Sequence, residues 1–232
     1  MSQQLIHTMF YDVLFPEEHN SMHFDDARLS LRKVIKYSPS SDIEIKQTTL
    51  VIFDFETTGL DSGSDRIIEI GGVKVREGRI VDQFDTLVKP PIALPLEATK
   101  ITGITEEMLI GRPPAGQVMP EFLKFIDGAV LVAHNADFDM AFLVNECERL
   151  GYQINWPCFC TLKLARALLP DLNSKSLDCL AEHYGFKFEE GRHRSIGDCK
   201  VTSAVLMAIL ENEGSSLRFL RDFGPFMVVE KK

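Results

Sequence analysis

Apolar positions recur along this chain in two rhythms: strand-like runs from residue 50 to 88, then short apolar runs alternating with helical spacing. Leu50 to Phe55 is β-branched and aromatic, the composition of an interior strand. Arg66 to Val75 and Arg79 to Val88 read as two more strands joined by a hairpin at Arg76-Glu-Gly-Arg79, so three strands in succession form an antiparallel meander. Gly71-Gly72, inside the second strand, marks a bulge or a close packing contact. Pro90 to Pro95 is a crossing loop, followed by Ile101 to Thr105 and a helix that Thr105 caps, with Glu106 and Glu107 in its first turn. Met119 to Ile126 is a second helix, and Ala129 to Ala133 is a wholly apolar interior strand. Beyond it come a helix from Ala136 to Leu150, a short strand near Cys158, and helices over Thr161 to Leu168, Ser176 to Tyr184 and Ser195 to Glu211. The expected architecture is α/β: an antiparallel three-strand meander followed by β-α units, a mixed sheet flanked by helices.

The pattern is different at both ends. Phe24 to Tyr37 places Phe24, Arg28, Leu31 and Ile35 on one stripe, which predicts an amphipathic helix, and Tyr37 to Asp42 reads as a linker. Leu217 to Val229 carries Phe219, Phe223, Phe226 and Met227, expected to pack on the main domain or to meet a partner. The domain reading is therefore a helical appendage and linker over 1–47, a main domain over 48–213 and a tail over 214–232.

Composition narrows the class. Of 232 residues, 45% are hydrophobic and 25% charged, as expected of a globular domain with a substantial core. Five cysteines, with Cys158-Phe-Cys160 lacking the spacing of a zinc site, point to reduced thiols and a cytoplasmic setting. No signal peptide is visible and the longest apolar run, Ala204 to Leu210, is far too short to span a bilayer, so no membrane role is expected. A net charge of -9 argues against broad adhesion to nucleic acid, yet carboxylates that bind metal ions can still attract a polyanion.

The chemistry is carried by acids in places that favour apolar residues. Alternation puts Val51, Phe53 and Phe55 on one face of the first strand and Leu50, Ile52, Asp54 and Glu56 on the other. Two like charges about 7 Å apart repel unless a cation lies between them, which points to a divalent metal. The competing reading is a strand end fraying into Thr57-Thr58-Gly59 with both acids solvated. Asp139 shares a helical stripe with Phe142, Leu143 and Leu150, and Asp198 one with Val201, Thr202, Val205 and Ile209, while Asp137 points away. An ionised carboxylate in an apolar setting costs on the order of several kcal/mol, so bound cations or basic partners must compensate. His193, in the polar turn Gly191-Arg-His-Arg-Ser195 five residues before Asp198, stays neutral near metals and a helix N-terminus and suits a general base.

With those residues in view, the sequence resembles the DEDDh 3'-to-5' exonucleases. The motif D-x-E-T-T-G falls on Asp54, Glu56, Thr57, Thr58 and Gly59, H-N-A-x-F-D on His134 to Asp139, and H-x-x-x-x-D on His193 and Asp198. The resemblance runs from about Thr49 to Ala208. It implies an RNase H-like fold, two Mg2+ or Mn2+ ions, and hydrolytic release of nucleoside 5'-monophosphates from a 3' end. Asp54 would bridge both ions, Glu56 and Asp198 would bind one, Asp139 would hold the second, and His193 would take the proton of the attacking water. Thr57, Thr58 and Gly59 would seat the terminal nucleotide with Leu60 and Phe138 against bases, and His134 and Asn135 would also face substrate. Ile101-Thr-Gly-Ile matches a substrate-side motif in which Thr102 stands where some relatives have histidine.

The leading expectation is a metal-dependent exonuclease acting on single-stranded or frayed DNA 3' ends in proofreading or repair, with DNA favoured over RNA. An RNA-trimming or oligoribonucleotide-degrading enzyme and a non-catalytic replication-partner module are the alternatives. A polymerase or other replication partner and a homodimer are left open. Arg192, Arg194, Lys163, Arg166 and Lys175 are candidates for a local phosphate path.

Overall fold

A computed structural model describes residues 33–189 and 192–228. Its centre is β2 (Leu50–Thr57), which pairs antiparallel with β3 (Ile67–Arg76) on one side and parallel with β5 (Val130–Ala133) on the other. β4 (Arg79–Leu87) extends the antiparallel side and β7 (Cys158–Cys160) the parallel side, giving the order β4-β3-β2-β5-β7. This is the mixed sheet expected from the meander and the later β-α units, and the RNase H-like fold that the family resemblance implies.

The alternation read along β2 is realised as two separate cores. Val51, Phe53 and Phe55 face α3 (Ala115–Ile126) and α4 (Ala136–Arg149), where Phe122 lies 5.7 Å from Phe55 and 6.1 Å from Phe53 between ring centres. Leu50 and Ile52 face the other way, into a cluster built with α5 (Thr161–Leu168), α6 (Leu177–Tyr184) and α7 (Ser195–Asn212). Asp54 and Glu56 continue that second face, toward α7.

Two features set the open end of β2. Its pairing with β5 runs only from Leu50 to Ile52, so residues beyond Ile52 have no strand partner on that side. On the β3 side, Gly71 allows backbone to meet backbone: a Cβ there would lie 2.4 Å from the carbonyl carbon of Ser195. Gly71 and Gly72 are thus packing glycines; the register shifts of the meander fall at Glu56/Thr57 and Lys74/Val75.

Several elements differ from the sequence reading. The predicted helix over 24–37 falls mostly outside the described residues, but its end is β1 (Lys33–Lys36), a strand parallel to β6 (Tyr152–Asn155). Ile35 is buried there and Tyr37 stacks on Trp156, a pairing no local helical stripe can reveal. α1 (Leu96–Thr102) occupies part of what reads as a loop and buries only Ala98 and Thr102, small residues that leave no apolar signature. α2 (Glu106–Leu109) is capped by Thr105, whose hydroxyl accepts from the Met108 N–H. α3 begins four residues earlier than expected and carries Pro120 inside it, where the ring forfeits one backbone hydrogen bond without ending the helix.

The segments flanking 48–213 fasten to each other. The Ile45 N–H donates to the Arg218 carbonyl (2.9 Å), Leu220 N–H to Ile43 (3.0 Å) and Arg221 N–H to Ser41 (2.9 Å). Arg218 pairs with Glu44 at 3.1 Å, and Phe223 is buried with its ring 4.8 Å from Phe159.

Candidate active site

Asp54 and Glu56 leave β2 at its unpaired end, and α4 and α7 each begin beside it. Asp139, in the first turn of α4, is 2% exposed, and its Oδ1 accepts from the Phe55 N–H at 3.1 Å. That N–H lies between the two strand acids and is free because β5 has stopped. Asp198, in the first turn of α7, is 3% exposed; its Oδ1 is buried without a hydrogen-bond partner, while Oδ2 takes the guanidinium of Arg192. His193 sits just before α7 with a left-handed φ of 60°, half-buried.

Burial raises all four acids above the ordinary carboxylate range, and repulsion within the group adds to it for Asp54, Glu56 and Asp139. Burial, then Asp139, Glu56 and Asp198, raise Asp54 well above the ordinary carboxylate value. Glu56 is pushed up to about 8 by burial and then by Asp198, Glu69 and Asp139. Asp139 rises to about 7, chiefly through burial, and Asp198 to about 6 because burial outweighs Arg192. His193 is lowered by burial and then by Arg192, which keeps its imidazole neutral at pH 7. Among the described residues, Glu56, His193 and Asp198 offer ligand atoms within 4.8 Å of one another. A buried, unpartnered carboxylate oxygen among mutually repelling oxygen donors fits a hard divalent cation.

The other predicted residues divide. Thr58 accepts from the Arg66 N–H (3.0 Å) and donates to Asp65 (2.8 Å), Thr57 donates to the Gly59 carbonyl (2.6 Å), and a Cβ on Gly59 would strike Asp65 at 2.4 Å. The Thr57–Gly59 turn is thereby built rigidly beside Glu56, ending in Leu60, which is 86% exposed. Asp61 to Asp65 forms a turn closed by its own carboxylates, as expected. Phe138 is half-buried against Phe142, with ring centres 4.9 Å apart. Asn135 stands at the start of α4 without capping it: it is left-handed at φ 65° and its side chain makes no cap bond. His134 shares a hydrogen bond with Thr161 (3.0 Å) and another with the Lys175 backbone, and burial pulls it down to about 4. Thr102 is buried, its hydroxyl donating to Ala98 (2.9 Å) and accepting from Ile104 (3.1 Å), so it closes the end of α1 and has no free hydrogen to offer a base.

Sequence reasoning missed Glu69. This residue of β3 lies opposite Glu56, is fully buried, and accepts from Arg194 Nε (2.9 Å) and Nη2 (2.6 Å) and from the Ser195 N–H (2.9 Å). It anchors the start of the helix that carries Asp198. A lone acid inside Ile67-Ile-Glu-Ile-Gly-Gly-Val was the available signal. Asp178 was missed as well; it accepts from Arg192 Nε at 2.8 Å and so shares that guanidinium with Asp198.

The family model RNase_T, described as "Exonuclease", matches residues 51–206. A DNA polymerase III subunit epsilon of Aquifex aeolicus is 38% identical over 164 residues, covering 70% of this chain and 81% of that protein. A DNA polymerase III PolC-type protein of Clostridium perfringens is 43% identical over 156 residues, covering 67% of this chain. The chain spans only 11% of the length of that relative. Among solved structures, "Exonuclease X in complex with 5' overhanging duplex DNA" is similar at 33% identity and a TM-score of 0.58, covering 71% of this chain and 93% of that one.

Proposed function

The chain belongs to the RNase_T exonuclease family, and from that premise we propose that it hydrolyses phosphodiester bonds from the 3' end of single-stranded or frayed DNA, releasing nucleoside 5'-monophosphates. The observation that carries this reading is the electrostatic frustration of the site: Asp54, Glu56, Asp139 and Asp198 each have a raised pKa, and three of the four feel other acids of the group directly. Divalent cations placed among these carboxylates would relieve their repulsion. Asp54, Glu56, Asp139 and Asp198 would hold two divalent ions, Mg2+ or Mn2+. When bound, these would stabilise charge on the entering and leaving oxygens.

The protein's own contributions follow from its geometry. His193, neutral at pH 7, takes the proton from the attacking water. The Thr57–Gly59 turn, braced by Asp65, seats the terminal nucleotide, and Leu60 and Phe138 meet its base and the one before it. Glu69 and Arg194 keep the start of α7 in register with β2, so that His193 and Asp198 face Glu56. The exonuclease unit is assigned to 48–213. Because PolC-type and epsilon proteins are its relatives, we assign it to proofreading or repair beside a polymerase. Its cysteines are free thiols, in keeping with the cytoplasm, and among the described residues no helix is long and apolar enough to cross a membrane.

The test is release of mononucleotides from 3'-labelled DNA and RNA oligonucleotides of one sequence, with Mg2+ or Mn2+ and with EDTA. Wild type should degrade DNA faster and only with metal, and Asp54→Ala should abolish the activity. Faster loss of RNA would make the chain an exoribonuclease. An Asp54→Ala protein as active as wild type would end the enzymatic reading.

A further inference from the structure

The five basic residues that the sequence offers for a phosphate path are not equivalent in the structure. Arg192 is shared by Asp178 and Asp198, Arg194 forks onto Glu69, and Lys163 pairs with Asp137 at 3.1 Å. These three are neutralised by carboxylates. Arg166, exposed on α5, has no such partner among the described residues. Lys175 gives its ammonium to the carbonyls of Pro170 (3.2 Å) and Leu172, which orient the charge without cancelling it.

Arg166 and Lys175 line one open cavity of about 720 Å³ together with His134, Asn135, Asn173 and Ser174. No carboxylate stands among the described residues lining it, although the protein as a whole carries a net charge of -9. His134 contributes no charge at pH 7, since burial holds it down to about 4 and its ring is bonded to Thr161 and to the Lys175 backbone. The cavity is therefore a polar recess with two net cations, of the size ligand sites commonly have. It also adjoins the acids: His134 and Asn135 lead directly into α4, whose first turn holds Asp139.

We propose that this cavity holds a backbone phosphate of the single-stranded substrate, upstream of the bond being cleaved. Arg166 makes the contact, and Lys175 is a positioning residue that fixes the wall of the recess. The assignment rests on the exonuclease reading for its substrate class, but its test reads binding and not turnover.

Fluorescein-labelled oligothymidylate would be titrated by anisotropy in Ca2+ at about 50 to 200 mM salt, where lost phosphate contacts are most visible. Arg166→Gln should bind several-fold more weakly and lower the salt slope by about 0.7, the value for one phosphate contact on a single strand. Lys175→Gln should weaken binding in the same direction. Arg79→Gln, an equal charge change on exposed β4 at the far edge of the sheet, should leave the slope unchanged. Thymidine 5'-monophosphate, which has no upstream phosphodiester, should bind wild type and Arg166→Gln alike. An unchanged slope in Arg166→Gln would overturn the proposal, as would equal losses in Arg166→Gln and Arg79→Gln. Loss of monophosphate binding in Arg166→Gln would overturn it too, by placing Arg166 at the terminal phosphate. Binding as expected without hydrolysis in Mg2+ or Mn2+ would leave this inference standing and remove the activity on which its naming depends.

Discussion

Gly71→Ala is the smallest change that should disable the site without touching any acid in it. The added Cβ would lie 2.4 Å from the carbonyl carbon of Ser195 and 2.6 Å from the Ile196 nitrogen. Both atoms are backbone, so no rotamer relieves the clash. Ordinary contact begins at 3.4 Å, so the start of α7 must retreat by about 1 Å, a displacement that can cost about 100-fold in rate when it moves catalytic groups. His193 and Asp198 ride on that segment. Overpacking of this kind costs about 3 kcal/mol at its upper end. In a chain of this size that lowers Tm by roughly 6–12 °C. Gly72→Ala is the matched control, because its nearest atom is Cε1 of the Phe125 ring at 3.0 Å, a side chain that can yield. Single-turnover release from a 3'-labelled oligonucleotide, with thermal unfolding of each protein, separates rate from stability. The reasoning fails if Gly71→Ala keeps wild-type turnover, or if Gly72→Ala is impaired to the same degree.

In metal-free protein, Glu56, Asp139 and Asp198 have folded-state pKa values of about 8, 7 and 6, above those of an unfolded chain. The native state then binds more protons than the unfolded one, so stability is greatest in acid and is lost as pH rises through 6 to 8. In EDTA, Tm should fall between pH 5.5 and 8.5, and Mn2+ should restore most of it at the upper end; a Tm flat across that range in EDTA would contradict the buried clustering. Glu69→Gln should lower stability by about 2 kcal/mol in urea, less than for a fully buried pair because Arg194 keeps 35% of its side chain exposed. It should weaken Mn2+ binding by calorimetry as well, since α7 loses its anchor, and an unchanged urea midpoint would deny Glu69 that role.

What the sequence makes legible is what has a period or breaks one. Strand β2 and the helices bearing Asp139 and Asp198 declare themselves because an acid interrupts an otherwise apolar face, and the structure brings those acids to the end of one strand. Glu69 interrupts its strand in the same way, but its partners, Arg194 and Ser195, are 125 and 126 residues distant, beyond any local pattern. β1 exists only because β6 lies beside it, and β6 has a single buried residue, Ile154, to announce it. Asn135 illustrates a different limit. Its residue type and position fit a cap, yet the turn into α4 demands a left-handed residue, and asparagine meets that demand with its backbone.

The mutual fastening of residues 41–45 and 218–221 ties together the two flanks of the chain, each of which also packs against the main domain, one through β1 beside β6 and the other through Phe223 against Phe159. Neither flank is held by its own sequence alone. Trimming the chain at either end would strip hydrogen-bond partners from the other, so the two ends stand or fall as one brace.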